Sequence, residues 1–302
     1  MGMFRCGYRR RTLLITTVFT ALVVCLPVTS LLGWGFQAHR EVNGRAVDLL
    51  PAPLGDYFQR QRPWLVALST DADQRRQFLP AEAPNHYIDL EYYDAPPLDS
   101  IPRERKAAEK KFGKDNLPEW GTLPWHILGI TRALKDAFED GEWERAVVLA
   151  ADLGHYLADG HMPLHTTINY NGKQTGNDGI HHLFETTMIR RHFDDYRPAG
   201  LELPAITDPA ENVFAWLAES YGYIGALLAA DSAGRTGLTE AQLATLTQGY
   251  SADPATIPDS YLDRLYEATG PLAWRQLDRS TARLAALWVW AWEQAGSPQP
   301  PD

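Results

Sequence analysis

The sequence predicts an all-α fold, a compact multi-helix single domain, on the basis of three observations. Apolar residues recur at three- and four-residue steps over most of the chain, a pattern typical of amphipathic helices. No segment alternates convincingly between apolar and polar residues, as a half-buried strand would. The chain has 302 residues, which is enough for one large domain with a full hydrophobic core and does not require a second domain.

Five segments have helical periodicity. The first stops at Pro51, because proline removes a backbone donor and disfavours helix in the residue before it. In the last segment Leu284, Leu287, Trp288 and Trp292 recur on one face, and we interpret this tryptophan stripe as core rather than as a cofactor site. The predicted helices cover residues 36–50, 124–138, 143–159, 210–230 and 271–295.

Two connecting segments are predicted to be loops. Residues 80–122 are rich in tyrosine, proline and charge, and residues 169–178 contain too much glycine and asparagine for a helix. The second loop is flanked by histidines at both ends, so it is expected to wrap around whatever those histidines bind. Long loops beside a rigid cluster often shape substrate access. A plain tether is the equally open alternative.

Residues 1–33 are predicted to be an export signal, because arginines precede an apolar run from Leu13 to about Val28. An uncleaved membrane anchor is the alternative, although Pro27 and interspersed threonines make a poor spanning helix. No later segment is expected to cross a bilayer. The protein is therefore predicted to be exported, to the periplasm or the extracellular space. Residues 34–296 would form the domain, and the proline-rich tail 297–302 is predicted to be disordered.

Cysteine content and charge limit the function classes. Both cysteines, Cys6 and Cys25, lie in the leader, so the mature chain would have no disulfide and no cysteine nucleophile. The chain has 28 basic and 38 acidic residues, and removal of the four leader arginines leaves 24 against 38, a net charge of −14. Such a surface does not attract polyanions at long range. It disfavours a high-affinity nucleic-acid binder but does not exclude an enzyme that cleaves nucleic acid.

Metal-ligand residue types are concentrated between residues 155 and 185. His155 and Asp159 stand four residues apart, as do His181 and Glu185, and on a helix such a spacing places both side chains on one face. Imidazole nitrogen with carboxylate oxygen is a ligand set that suits zinc outside thiolate sites. Scattered surface histidines are the plain alternative. Five of the nine histidines fall in this stretch: His155, His161, His165, His181 and His182.

The pattern His155-Tyr156-x-x-Asp159-x-x-x-Pro163-x-His165, followed by Asn169 and His181-x-x-x-Glu185, resembles the signature of the zinc-dependent phospholipase C and single-strand-specific zinc nuclease superfamily. The resemblance extends from Trp34 to about Glu185. It implies a fold of the phospholipase C / zinc nuclease type with three zinc ions (Zn2+) and an activity that cleaves phosphoester bonds.

The resemblance also implies the ligands. His165, His181 and Glu185 would hold one zinc. Asp73, His86, His155 and Asp159 would hold a second, and Asp159 would bridge to a third, completed by His39 and by the α-amino group and carbonyl of Trp34. Asp73 is favoured over Asp71 because the family has an Ala-Asp pair there. His161 and His182 are expected to orient ligands or contact substrate.

Trp34 can ligate through its amino group only if it is the first residue of the mature chain. The resemblance therefore implies cleavage between Gly33 and Trp34. Cleavage after Ser30 remains the rival, since Leu31 and Leu32 are not the usual small residues before a processing site.

Several neighbouring zinc ions would lower the pKa of a water molecule to about 7. Asp73 and Asp159 are the candidate catalytic residues, since Asp73 could orient the nucleophile and Asp159 would bridge two ions. The expected substrate is a phosphodiester, either nucleic acid or phospholipid, and no stable protein partner is inferred. A non-catalytic zinc-binding structural protein is the alternative from another class.

Some residues of the pattern resemble the nucleases and others resemble the phospholipases, so the pattern alone does not select the substrate. The five-residue step from Trp34 to His39 and the paired His181-His182 resemble the nucleases, whereas Glu185 and Tyr156 resemble the phospholipases. The negative charge disfavours anionic membranes, and a nuclease needs aromatic side chains on which bases stack. A zinc-dependent nuclease is therefore placed ahead of a phospholipase C. Tyrosines suited to stacking are Tyr87, Tyr92, Tyr93 and Tyr170.

Overall fold

The structure, a computed structural model, describes residues 35–94 and 96–302, which belong to one compact unit. The predicted signal peptide and Trp34 lie outside the described residues. The helices are α1 (Phe36–Ala46), α2 (Leu54–Leu68), α3 (Asp71–Arg75), α4 (Arg105–Phe112), α5 (Leu117–Trp120), α6 (Leu123–Glu139), α7 (Trp143–His161), α8 (Ile180–His182), α9 (Ile189–His192), α10 (Pro209–Tyr221), α11 (Ile224–Arg235), α12 (Glu240–Leu246) and α13 (Asp259–Gln294).

Short 3-10 segments and one π-helix connect these elements, and the described residues contain no β-strand. The predicted all-α class and single domain are therefore confirmed, while the phospholipase C / zinc nuclease type stays a prediction. The π-helix is Leu183–Met188, between α8 and α9. The 3-10 segments are Val47–Leu49, Pro80–His86, Leu90–Tyr92, Pro163–Thr166, Lys173–Thr175, Phe193–Asp195, Gly249–Ser251 and Pro254–Thr256.

Helix α7 lies at the centre and contacts α1, α2, α6 and α13. Its alanines, among them Ala146, Ala150 and Ala151, are fully buried, and such small side chains let neighbouring helices approach closely. The indole nitrogen of Trp288 on α13 donates a hydrogen bond of 3.2 Å to the carbonyl of Ala150. The core therefore fixes α7, the helix that carries the metal-ligand pair His155 and Asp159, on four sides.

An aromatic cluster joins α2, α6, α7 and α13. The Phe58 ring meets Trp288 edge-on at 5.2 Å, and Phe138 lies 5.2 Å from Trp143. Phe58, Phe138 and Trp288 are fully buried, and burial of each such ring contributes roughly 1.5–3 kcal/mol or more. The tryptophan stripe on the last helix is thus core, as its periodicity predicts.

The predicted C-terminal helices differ from the observed ones at proline and glycine. The helix expected to begin at Pro271 extends back to Asp259, with Pro271 inside α13, because Tyr261, Leu262 and Leu265 on the preceding turns are also buried. The helix expected over 210–230 is two helices, separated at Gly222 and Tyr223. Helix α2 was not predicted, since Pro63 interrupts its pattern.

The two predicted loops have different outcomes. Residues 80–122 are not irregular throughout, because they contain α4, α5 and two 3-10 segments. The two short helices form because each has an apolar side to bury, and Ala108 and Leu117 on them are fully buried. Residues 169–178 contain only the 3-10 turn Lys173–Thr175, as their glycine and asparagine content predicts.

One stretch of the described residues, Pro209–Arg235, is long and apolar enough to cross a membrane by length and composition. No such stretch after residue 33 is expected from the sequence. Core helices pass the same test, and this stretch is two helices that bury Val213, Phe214 and Leu227. At the C-terminal tail, Trp292 donates a hydrogen bond to the carbonyl of Pro298, and Arg60 donates one to that of Pro301.

Candidate metal centre

Helix α7 supplies the two residues around which the others gather. His155 and Asp159 are fully buried on one face of its last turns. A Cβ atom added to Gly154 would lie 2.4 Å from the side chain of Asn43 on α1, so glycine permits the close approach of the two helices. As a result the imidazole of His39 on α1 stacks on that of His155 at 4.0 Å and 16°.

The remaining candidate ligands come from short or irregular elements. Asp73 lies in α3, and His86 and His165 lie in the 3-10 segments Pro80–His86 and Pro163–Thr166. His181 ends the α8 turn, and Glu185 lies in the π-helix. Single-turn π segments inside helices occur frequently at functional sites. The structure thus brings together all eight of the predicted ligands that fall in its described part.

The first group consists of His165, His181 and Glu185. The Nε2 atoms of the two histidines are 3.2 Å apart, and Glu185 Oε2 lies 3.2 Å from His181 Nε2 and 3.5 Å from His165 Nε2. A tetrahedral zinc with ligand bonds of about 2.0–2.1 Å separates its ligand atoms by roughly 3.4 Å. The three atoms therefore have the spacing of one face of such a tetrahedron.

The second group consists of Asp73, His86 and His155. His86 Nδ1 lies 3.1 Å from His155 Nε2, and Asp73 Oδ1 lies 3.8 Å and 3.9 Å from these two nitrogens. Asp159 Oδ2 adds a fourth oxygen, 3.0 Å from His86 Nδ1 and 3.3 Å from His155 Nε2. The group has the four members that the resemblance implies. Asp71, the alternative to Asp73, is half-buried and accepts a 3.4 Å hydrogen bond from Gln74 instead.

The third group joins His39 and Asp159, with His155 close enough to contribute. His39 Nε2 lies 3.7 Å from Asp159 Oδ1. The two oxygens of Asp159 therefore face different groups, which is the arrangement a bridging carboxylate requires. Trp34, the other implied ligand, lies outside the described residues.

The side chains fit cations because many of their buried polar atoms lack a partner. No hydrogen-bond partner within residues 35–94 and 96–302 satisfies both nitrogens of His39, both oxygens of Asp73, Nε2 of His86, Oδ1 of Asp159, Nδ1 of His165 and Oε2 of Glu185. An unpaired buried polar group costs about 1–3 kcal/mol, and more when it is charged. Such a concentration in one place is the donor set of a metal centre, and these groups could hold metal ions.

Without a bound ion, several of these side chains have a protonation state that differs from the one metal ligation requires. Burial lowers the pKa of His155 and His165, but the charges and hydrogen bonds of Asp159 and the other neighbouring groups together outweigh it and raise these values to about 9 and about 10. Burial lowers the pKa of His39 well below its ordinary value, and burial raises that of Asp73. Metal ligation requires neutral imidazole and ionised carboxylate, so a bound cation must displace protons from His155 and His165.

Hydrogen bonds behind the ligands fix their orientation. His155 Nδ1 lies 2.9 Å from the carbonyl oxygen of Ser69, and His181 Nδ1 lies 3.2 Å from that of Tyr170. Each histidine donates there and leaves its Nε2 lone pair for the centre. The Tyr250 hydroxyl donates to Oε1 of Glu185. Burial and the nearby Glu185 charge raise the Tyr250 pKa well above its ordinary value, so the phenol stays a donor.

Two histidines next to the ligands do not reach the metal groups. His161 Nδ1 donates to the carbonyl of Leu157, and its Nε2 accepts from Arg283 at 2.8 Å. It joins α7 to α13 and has no role in orienting ligands directly. The His182 ring packs 4.4 Å from that of Tyr250, beside Glu185. The expectation for His161 is therefore wrong, because Arg283 saturates its only free nitrogen.

A cleft of about 830 Å³ opens onto the metal groups and has His86, His165 and His181 in its wall. Tyr87 and Tyr170 line it, with Arg76 and Lys173 as its basic residues. The other two tyrosines considered for stacking, Tyr92 and Tyr93, do not line it; Tyr92 stacks on Trp120 at 5.2 Å instead.

Four cleft or supporting residues were missed by the sequence analysis: Ser69, Arg76, Asp89 and Tyr250. Burial and the charge of Glu91 raise the pKa of Asp89 to about 7. Asp89 follows His86 by three residues, and Arg76 follows Asp73 by three, so sequence proximity could have indicated both. Tyr250 lies 65 residues beyond Glu185, and no local pattern indicates it.

A scan of this chain against protein-family models finds no match, and searches of curated proteins and of solved structures also find none.

Proposed function

We propose that this protein is an exported zinc-dependent phosphodiesterase, a hydrolase with three zinc ions that cleaves single-stranded nucleic acid or nucleotides. The observation that carries the proposal is the convergence of three ligand groups on α7, two of which share His155 and one carboxylate, Asp159. A structural zinc site is typically closed and isolated, with four protein ligands. Here the groups adjoin one another and border an open cleft.

The residues have distinct tasks in this proposal. Asp159 would hold two ions, and His165 directs Nε2 to its own group while its Nδ1 faces Asp159 Oδ1 at 3.3 Å. Bound zinc ions would polarise a water molecule and offset the negative charge of the phosphoryl oxygens. Asp73 accepts a proton or orients the nucleophile. Arg76, whose Nη2 lies 3.9 Å from Asp73 Oδ1, presents a positive charge to the anionic substrate at the cleft.

Gly35, the first described residue, lies next to an element that carries a candidate metal ligand. Gly35 is buried, and a Cβ atom added to it would lie 3.6 Å from the carbonyl oxygen of Glu185. The first described residue thus packs against the π-helix that carries a ligand. A chain that begins at Trp34 would place its amino group one residue from this contact. A chain that begins at Leu31 would lack the amino ligand and would bind two ions tightly instead of three.

The cleft favours nucleic acid over phospholipid head groups. Tyr87 and Tyr170 offer rings for bases, and stacking contributes about 1–3 kcal/mol per base. Tyr170 is 55% exposed, so its ring is accessible. Arg76 and Lys173 place two positive charges in a lining that also contains Asp89, Glu119 and Asp178, so bound cations would supply most of the attraction for an anionic substrate.

The test uses chain 34–302, loaded with zinc, on single-stranded DNA and RNA and on phosphatidylcholine micelles, each with and without chelator. We expect chelator-sensitive cleavage of single-stranded nucleic acid. His155→Ala should abolish it, because two groups lose a ligand. His192→Ala, a histidine that stacks on Tyr266 outside these groups, should retain it. Cleavage of the micelles alone would assign a phospholipase C, and three bound zinc ions without any turnover would assign the structural alternative.

A further inference from the structure

Glu185 is held at both of its oxygens, and the two contacts differ in kind. Oε2 faces the Nε2 atoms of His165 and His181 at 3.5 Å and 3.2 Å and has no hydrogen-bond partner among the described residues. Oε1 instead accepts the hydroxyl of Tyr250. A carboxylate can rotate and exchange its oxygens, so this hydroxyl determines which oxygen faces the histidines.

The segment that carries Tyr250, residues 247–251, forms one wall of the cleft, and we call it the wall segment. It follows α12, whose last carbonyl, that of Leu246, lies against Gly179 at the start of α8. Gly249 has a φ of +55°, which turns the chain so that the next residue faces the cleft. The ring of Tyr250 packs 4.4 Å from His182 and 6.4 Å from His181. The wall segment is therefore placed by contacts with the helical turn that bears His181.

We propose that Tyr250 is a positioning residue for the group of His165, His181 and Glu185, and that its hydroxyl fixes Glu185 in the ligating orientation. The inference rests on the metal loading that the proposed function requires. Among the described residues, Ser69 supports His155 in the other groups, and neither Asp73 nor His39 has a hydrogen-bond partner in the wall segment. Loss of the Tyr250 hydroxyl should thus weaken one ion and leave the others unchanged.

Zinc titration of chain 34–302 against a competing chelator measures the three affinities. Tyr250→Phe keeps the ring and removes the hydroxyl, and outer contacts of this kind change metal affinity by roughly 10–100-fold. We expect such a loss for one ion and no change for the other two. Tyr196→Phe is the matched control, because its hydroxyl also donates to a carboxylate, that of Asp278, outside the metal groups. It should change none of the three affinities.

A double variant assigns the affected ion. His181→Ala should remove the ion of its group, and Tyr250→Phe added to it should have no further effect on the remaining two ions, because coupled residues are not additive. Equal affinities in wild type and Tyr250→Phe, a uniform weakening of all three ions, or an additional loss in the double variant would each overturn the inference. In those cases three bound ions in the wild type would leave the proposed function intact, whereas a wild type that binds no zinc would overturn both.

Discussion

Because the backbone of Leu246 lies very close to Gly179, we predict that Gly179→Ala lowers the free energy of unfolding. Gly179 has a φ of +92°, and a Cβ atom added to it would lie 1.9 Å from the carbonyl oxygen of Leu246. That atom belongs to the backbone, so Gly179→Ala must displace either the start of α8 or the end of α12. Gly176 lies in the same loop with a φ of +77°, but nothing lies within 4 Å of its added Cβ. Gly176→Ala is therefore a control that keeps the backbone strain and removes the collision.

The magnitudes follow from these two environments. The left-handed conformation costs an alanine about 1–2 kcal/mol, and the stiffer unfolded chain returns about 0.4–1 kcal/mol. Gly176→Ala should therefore lower the free energy of unfolding by about 1 kcal/mol. Gly179→Ala has the same cost plus that of forcing atoms into a packed contact, about 1–3 kcal/mol. We expect a total of about 2–4 kcal/mol.

Urea unfolding followed by circular dichroism, in chelator so that metal binding does not contribute, measures both values. The same variants should differ after zinc is restored, because displacement of α12 moves the wall segment and Tyr250 with it, so Gly179→Ala should also retain less zinc than Gly176→Ala. Equal destabilisation of the two variants would refute the reasoning, since the packed contact between α8 and α12 would then be absent.

Three further outcomes are expected. Asp231→Asn should cost about 3–5 kcal/mol in urea unfolding, because the fully buried carboxylate accepts from Arg235 at 2.6 Å and from two other side chains; a change below 1 kcal/mol would contradict this. Zinc loading at pH 7 should release protons, because the pKa values of His155 and His165 are about 9 and about 10 without metal; calorimetry in buffers of different ionisation enthalpy measures the release, and a buffer-independent heat would contradict it. Burial raises the pKa of Glu185, but the neighbouring histidines outweigh it and lower the value from 4.5 to about 2. This carboxylate therefore stabilises the metal-free fold above pH 4.5, and the contribution is lost as pH falls towards 2. Glu185→Gln should reduce the fall in the free energy of unfolding between pH 4.5 and pH 2, and an unchanged fall would contradict this.

Helical periodicity was enough to predict the fold class and the core, but not every helix. It identified residues 143–159 within two residues of the end of α7, because no proline interrupts the pattern there. It failed at Pro63 and Pro271, which lie inside α2 and α13. A proline usually ends a helix because it costs about 3 kcal/mol there. At these positions the buried faces on both sides offset that cost, and burial is a tertiary property that a local pattern does not contain.

In the candidate site, too, local spacing predicts some of the contacts, and the others depend on tertiary packing. The spacings of His155 with Asp159 and of His181 with Glu185 indicate ligand pairs locally, because both pairs lie on helical turns. The proximity of His39 to Asp159 is a contact over 120 residues and depends on the packing of α1 against α7. The resemblance supplied that pairing, and the geometry agrees with it. Nothing local indicates that Tyr250 would meet Glu185, since that contact exists only after α12 packs against α8.

The metal groups also bear on the stability of residues 35–302, which contain no cysteine and so no disulfide. The chain's two cysteines precede residue 34, and the elements that carry five of the eight described ligands are 3-10 segments, a π-helix or helices of at most five residues. Such elements have few hydrogen bonds of their own and gain order from what they contact. The unpartnered atoms of Asp73 and His39 oppose folding unless cations satisfy them. An ion present at 100 times its dissociation constant adds about 2.7 kcal/mol to stability, and three ions would exceed the contribution of a typical disulfide, about 2–4 kcal/mol. The same ions that would polarise a water molecule would therefore also hold these irregular segments against α7.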